Sequence, residues 1–407
     1  MPAAASTAAP DLTIVPPDRR KHAEALCDLV AKVFSGNGYY TFRNICRKGY
    51  ILNSHYDWQA SRIGLVGGRP VTHFGVWGMT MRIGTARVRV GGIGAVATDA
   101  DFRKRGLMAR TARAAVAAMR ECGYDLSLLF GISDFYHRFG YIRAFSPSAY
   151  TVAVADLPGE RPTVRPRKFN PLPRADTARL YNRASAGLTG TAVRPTFTHL
   201  TWPHPMEGRL WRDGRRRLAG YVVFEVREGR LMCGEACGNA EQVLRVLAVL
   251  ARQRGCQEVR FDTFHRQSPL IRRICRGNCR VETWHRRSGG EMVATIHLGS
   301  ALTKMRGELE RRMRASPLAD WRGRLLVADS RDAVTLAIER TRVSVTAGRQ
   351  SRHAIRGGDA VAQLVMGTDD PAETIAAARM RTTGDAARLA EVLFPNEHPM
   401  LGLLDRF

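Results

Sequence analysis

Residues Asp99 to Arg110 read DADFRKRGLMAR, with Arg103, Lys104 and Arg105 directly before Gly106 and an alanine-rich run after it. One cation at a turn is ordinary. Three ahead of a glycine, where a strand pattern gives way to a helix pattern, suit an anion seated on backbone N–H groups. The first N–H groups of a helix converge outward, and the helix dipole adds partial positive charge there. Gly106 has no Cβ, so a phosphate can come close to the backbone. The spacing is neither the Walker G-x4-G-K-[ST] nor the dinucleotide G-x-G-x-x-G. The chemistry it suits is binding of a diphosphate; on spacing alone, a solvated basic turn before a helix fits equally well.

A second pattern lies in CGEAC (Cys233, Cys237) and CRGNC (Cys275, Cys279). Four thiolates could hold zinc, but zinc knuckles use the tighter C-x2-C turn. The competing reading makes these cysteines small apolar fillers. No metal is expected.

The elements that must position the basic turn are legible around it. Ala86 to Thr98 reads as a strand, and LMARTARAAVAAMRECG as a helix. Tyr124 to Ile132 reads as a buried-type strand, completing a βαβ unit. Upstream, Lys21 to Phe34 has helical apolar spacing, and a hairpin is expected about Gly67-Gly68 with alternation from Val71 to Met81. The proline-rich Asp156 to Asp176 marks a domain boundary. Beyond it, a helix ADTARLYNRASAG and two strands precede a helix opened by Asn239, with Gln242 as capping-box partner. That helix and the strand after it repeat the earlier order without a basic-glycine turn. From Ala301 a helix, short strands and polar helices follow. Met400, Leu401, Leu403, Leu404 and Phe407 keep the chain apolar to its last residue, so the terminus is expected to be docked.

Bulk properties bound the function. At 407 residues, 44% apolar, two or three domains are expected and disorder is not the default. No run approaches a membrane span, and the opening MPAAASTAAPDLTIVPPDRR has no signal-peptide pattern; a cytosolic protein with reduced thiols is expected. The net charge is +26, nearly all of it arginine, since lysine occurs only at 21, 32, 48, 104, 168 and 304. The arginines are spread and mixed with Asp and Glu, with dense stretches at Arg212 to Arg217 and Arg266 to Arg280. A nucleic-acid binder concentrates its bases on one face, so arginine-biased composition is the favoured reading over an acidic partner.

VATDADFRKRGLMARTARAAVAAM resembles the acetyl-CoA signature [R/Q]-x-x-G-x-[G/A] of the GNAT N-acetyltransferases, with Met108 at the usual small position. SDFYHRFGYIRA (Ser133 to Ala144) resembles the Y-x-R-[FY]-G-[FY] segment of the Eis-like (enhanced intracellular survival) members. LYNRASAGLTGTAVRP resembles the start of their second GNAT-like domain, and the final DRF their aromatic C-terminus. The resemblance implies an α/β (α+β) fold: two GNAT-like domains in tandem, then a sterol-carrier-protein-like domain. The implied boundaries are a disordered tail over 1–18, an acetyl-CoA-binding domain over 19–155, a degenerate second domain over 156–299 and a third over 300–407.

What the resemblance implies for the site is specific. Val96, Ala97 and Thr98 would pair with the pantetheine arm. Arg103, Lys104, Arg105, Gly106, Leu107, Met108 and Ala109 would hold the pyrophosphate, with Ile132 and Ser133 nearby. Tyr136 would be general acid and the α-carboxylate of Phe407 general base; Arg138 and Phe139 would be structural. By residue type alone, Tyr136 and Tyr141 read as core aromatics flanking a turn. The co-substrate would be acetyl-CoA and the acceptor a primary amine, on a small molecule or a lysine side chain. A homo-oligomer, hexameric in the family, is expected, with no membrane or nucleic-acid partner. By residue type, GNGYYTF (Gly36 to Phe42) reads either as a lining of the amine pocket or as a packed aromatic loop. Members that acetylate aminoglycosides place a carboxylate beside the terminal aromatic; here Arg406 stands there, Asp405 is one step earlier, and Phe34 to Gly38 has none. Aminoglycoside acetylation is therefore not expected. A non-enzymatic nucleic-acid binder on the same fold is the alternative from another class.

Overall fold

The computed structural model describes residues 11–171, 174–196, 206–348 and 350–407, which form two compact units. The first holds the described residues up to Gly78, Gly91–Tyr124 and Phe407; the second holds Met79–Val90 and Asp125–Arg406.

In the first unit, strands β1 (Thr13–Val15), β2 (Arg62–Val66) and the open ends of β3 (Arg69–Ile83) and β4 (Ala86–Thr98) lie in that order. Gly67 and Gly68, at φ 55° and 78°, turn β2 into β3, as the Gly-Gly pair predicts. Helix α1 (Arg19–Val33) starts where the Asp18 carboxylate accepts from the N–H groups of Arg20 and Lys21. Helix α2 (Tyr39–Ile45) and a π-turn, Cys46–Tyr50, follow. Helix α3 (Leu107–Glu121) buries Leu107, Met108, Thr111, Ala112, Ala115, Ala118 and Met119, a stripe at helical spacing. Small alanines let it lie close, and the Thr72 and Thr111 hydroxyls hydrogen-bond at 2.7 Å.

The expected disordered tail is corrected here. Residues 1–10 lie outside the described residues, but Thr13–Val15 pair with Ile63–Leu65. Leu12 buries itself against Val71 and Leu107. Leu12 and, beside it, Ile14 supply the foothold in an otherwise alanine- and proline-rich stretch.

In the second unit, the hairpin end of β3 and β4 is followed by β5 (Leu126–Gly131), β14 (Gly290–Thr295) and β6 (Ile142–Arg143). Met292 of β14 stands opposite Leu129 on one side and Arg143 on the other. A second sheet has the order β13 (Arg280–Thr283), β7 (Ser148–Ala153), β12 (Glu258–Asp262), β11 (Arg230–Cys237), β10 (Leu218–Arg227), β9 (Glu207–Arg212), β8 (Arg167–Phe169). The implied boundaries thus miss an exchange: β7 leaves the 19–155 segment for the second sheet, and β14 leaves 156–299 for the first. Strands pair with distant partners, so a proline-rich stretch between them marks a change in sequence and not the edge of a sheet.

Helices α4 (Ala175–Ala184), α5 (Ala240–Gln253) and α6 (Pro269–Ile274) accompany the second sheet. Its core gathers Phe224, Leu231, Leu247, Val259 and Phe261, and α5 is the crossover between the parallel pair β11 and β12. Asn239 caps α5 as expected, but only half the capping box forms: the Gln242 side chain accepts from the Thr163 N–H instead. The third sheet runs β17 (Arg342–Ala347), β16 (Ala333–Glu339), β15 (Arg322–Ala328), β18 (His353–Arg356), β19 (Arg381–Thr383). Helices α7 (Leu298–Arg314), α8 (Val361–Met366), α9 (Pro371–Ala377) and α10 (Ala386–Leu393) belong to this region. The hairpin end of β3 and β4 is tied to α7, where Glu308 accepts from the N–H (3.1 Å) and hydroxyl (2.7 Å) of Thr85.

Candidate active site

The basic turn takes the shape its residues predict. Asp99 caps a 3-10 turn, Ala100–Phe102. Gly106 then adopts φ 73°, the left-handed conformation that opens α3. A Cβ there would meet no protein atom within 4 Å. Among the described residues, no protein acceptor meets the N–H groups of Gly106, Leu107 and Met108, as the first turn of a helix requires. The side chains of Leu107 and Met108 are buried, so these two can offer a ligand only their backbone. Arg103 folds back to the Thr98 carbonyl at 3.2 Å, and Arg105 lies 5.5 Å above the Phe102 ring. Lys104, at φ 61°, is exposed and without a protein acceptor among the described residues. The turn thus presents open amides rimmed with positive charge.

The strand before it is bent at a defined residue. Ala95 has φ 46°, a conformation that is uncommon and strained for a residue with a side chain. His73 holds it there: its Nδ1 is 2.8 Å from the Ala95 carbonyl, and its Nε2 is 2.8 Å from the Tyr56 hydroxyl. A carbonyl can only accept, so Nδ1 carries the proton and Nε2 accepts from Tyr56. Burial depresses the pKa of His73 to about 4, keeping this neutral tautomer. A Cβ at Gly94 would strike the Tyr50 hydroxyl and the Trp77 ring, and Tyr50 and Trp77 stack at 4.6 Å. Past the bend, Val96 and Thr98 are half-buried while Ala97 points inward. No sequence motif marked His73, Tyr50 or Tyr56; alternation in β3 made His73 look like one more inward residue.

Phe407 belongs to the same unit, half-buried, with its ring against β4: a Cβ at Gly92 would come within 2.5 Å of it. Glycine at 92 makes room for the terminal ring.

Tyr136 lies in the second unit. It opens a 3-10 turn, Tyr136–Phe139, that Gly140 ends at φ 87°. Its ring packs on Gly131, where a Cβ would meet it at 2.6 Å, and makes an edge contact with Phe135 at 4.9 Å. Burial alone pushes its phenol up to about 12, so it stays protonated at neutral pH. Tyr141 is tied to Ser127 at 2.7 Å and is structural. Ile132 is 68% exposed and Ser133 is exposed; Ser288 steadies this loop through Asp134. Arg138 lies 5.1 Å over the Phe135 ring.

The tail is docked by most of the apolar residues expected to hold it, joined by a buried acid. Met400 and Leu401 are buried, whereas Leu403 is exposed. Asp405 is fully buried and bound by Arg194 at 2.9 Å and Thr196 at 2.8 Å. In the first unit, Glu24 and Asp28 of α1 are each paired with Arg43, and Glu24 also with Arg47. Of the GNGYYTF residues, Tyr39 donates to Asp28, Phe42 is buried and Tyr40 is exposed. Cys233 and Cys237 are buried in β11 while Cys275 is exposed. Among the described residues no cluster of three or more His, Cys, Asp or Glu could hold a metal ion, and no helix is long and apolar enough to cross a membrane.

The sequence around this turn matches a known domain model. Residues 19–144 match the acetyltransferase (GNAT) domain model. The matched GNAT segment carries the basic turn, the bend and Tyr136, while β14 reaches its sheet from outside the match. Three solved structures share the fold over almost the whole chain. A GCN5-related N-acetyltransferase from Anabaena variabilis is 15% identical with TM-score 0.73, covering 97% of this chain and all of its own. One from Kribbella flavida is 18% identical with TM-score 0.71, covering 98% and 100%. Eis1 from Mycobacterium abscessus is 14% identical with TM-score 0.68, covering 97% and 100%. No curated protein matches by sequence.

Proposed function

We propose that the chain is an N-acetyltransferase that moves an acetyl group from acetyl-CoA to a primary amine. The observation that carries this reading is the α3 N-terminus: unpartnered amides at a left-handed Gly106, with Lys104 at the rim, inside the segment matched to the GNAT model. These amides would take the coenzyme's pyrophosphate. The bend at Ala95 would free Val96 to Thr98 to pair with the pantetheine arm, a cofactor version of strand addition.

The amine nitrogen attacks the acetyl carbonyl carbon, the C–S bond breaks, and an amide and a free thiol result. The ammonium must first become an amine, and the α-carboxylate of Phe407 accepts that proton, directly or through water. The departing thiolate takes a proton from Tyr136, whose buried phenol retains one at neutral pH, and the second proton that the nitrogen sheds as the amide forms restores that phenol through water. Holding the two reactants together supplies much of the remaining rate. Residues 300–407 then serve as the sterol-carrier-like domain that delivers the terminus, and the assembly is a homo-oligomer.

A turnover screen tests the reading: thiol release from acetyl-CoA against a panel of amines, beside calorimetric titration with coenzyme A. Coenzyme binding and amine-dependent thiol release are expected. No uptake of coenzyme A would end the proposal.

A further inference from the structure

A cavity of about 450 Å³ lies beside the turn that carries Tyr136, lined in part by Phe130, Asp262, Trp284, Arg286, Glu291 and Arg406. Gly131 joins the two, since it lines the cavity and also carries the Tyr136 ring. The lining charges are unequally committed. Glu291 is paired with Arg406 at 3.0 Å, and that guanidinium lies 4.7 Å over the Phe130 ring. Asp262 is paired at 3.0 Å with Arg260, which also binds Glu282 at 2.6 Å and lies over Trp284. Arg286 is different. Its stem rests on Gly290, where a Cβ would meet its Cδ at 3.0 Å, and its head is exposed. No carboxylate among the described residues is within ion-pair distance of it.

We infer that this cavity takes the acceptor, and that Arg286 selects an amine that also carries a carboxylate. The inference rests on the amine-acetylation reading above. A polycation entering here meets two carboxylates already neutralised and one cation without a counter-ion, an arrangement that rejects it. An amino-acid-like acceptor gains a charge-assisted pair with Arg286, bidentate where the planar guanidinium faces the carboxylate. Its amine can use the remaining acceptor capacity of Asp262, whose side chain is 36% exposed.

Lysine and 1,5-diaminopentane differ only by a carboxylate and are the probes. Calorimetric binding and thiol-release kinetics are measured for both with the native protein, Arg286→Gln and Arg286→Lys. Lysine is expected to bind and react on the order of tenfold better. Arg286→Gln brings the ratio towards unity, and Arg286→Lys restores part of it. Equal or better use of the diamine, a ratio untouched by Arg286→Gln, or no binding of lysine overturns the inference. The two readings fail separately. Arg286-dependent lysine binding without thiol release from any amine would sink acetyl transfer and keep the pocket; equal transfer to both probes would do the reverse.

Discussion

At the scale of single residues, two buried side chains carry opposite pH signatures. Tyr136 is packed against a glycine and its phenol is held up near 12 by burial alone, so it keeps its proton throughout the neutral range, as the proposed general acid must. Tyr136→Phe removes only the transferable proton. Turnover should fall on the order of a hundredfold with coenzyme affinity unchanged, as steady-state kinetics and calorimetry will tell. His73 has the opposite bias: its folded pKa is near 4 against an ordinary 6.5. The unfolded chain therefore binds a proton that the folded chain refuses. Stability is complete above about pH 6.5 and declines as pH falls towards 4, by on the order of 3 kcal/mol for this group. His265, also depressed to about 4 by burial and by the nearby His398, acts in the same window. Urea titrations from pH 7 to 4 should show the decline, and His73→Gln should remove roughly half of it.

Elements turn those residues into a site, and here the sequence is informative in proportion to how local the cause is. Gly106, the alanine stripe of α3, the Gly67-Gly68 hairpin and the β4 boundaries are set by neighbours in the chain, and all were legible. The bend at Ala95 depends on His73, twenty-two residues away, and the exchange of β7 and β14 depends on partners farther still; neither leaves a local pattern. Gly106→Ala probes the turn cleanly because the added Cβ would face open space. The φ of 73° makes alanine cost about 1 kcal/mol in stability. Any larger loss, of coenzyme affinity, then reports a Cβ intruding on the phosphate and not repacking. Calorimetry and thermal melts of the same variant separate the two. Glu308 tests the tie between the β3–β4 hairpin and α7. Burial would raise its pKa, but hydrogen bonds from Arg311 and Thr85 and the charge of Arg312 hold it near 2. Its contribution is complete above about pH 4.5 and lost as pH falls towards 2, on the order of 3 kcal/mol. Glu308→Gln should flatten stability in that acid window alone, leaving the pH 6.5 to 4 decline in place.

At the scale of the whole molecule, mutations can separate anchorage of the last eight residues from the proposed role of the terminal carboxylate. Met400, Leu401 and Asp405 fix the tail within the second unit, whereas Phe407, the final residue, belongs to the first. Asp405 is the keystone of the fixed part. Its carboxylate shares the buried Arg194 guanidinium with Glu235, and Arg194 lies 3.6 Å over the Tyr181 ring. Asp405→Asn removes one member of a buried ionic triad, a change that costs about 3 kcal/mol or more. It should lower the melting temperature and turnover together. A short C-terminal extension leaves every one of those contacts in place and displaces only the terminal carboxylate. Its melting temperature should match the native protein, while on the proposed mechanism turnover falls on the order of a hundredfold because the proposed proton acceptor has moved. If the extended protein is as active as the native one, the base lies elsewhere and the tail is anchorage alone. If both variants lose activity but only Asp405→Asn loses stability, the tail positions a group that does chemistry.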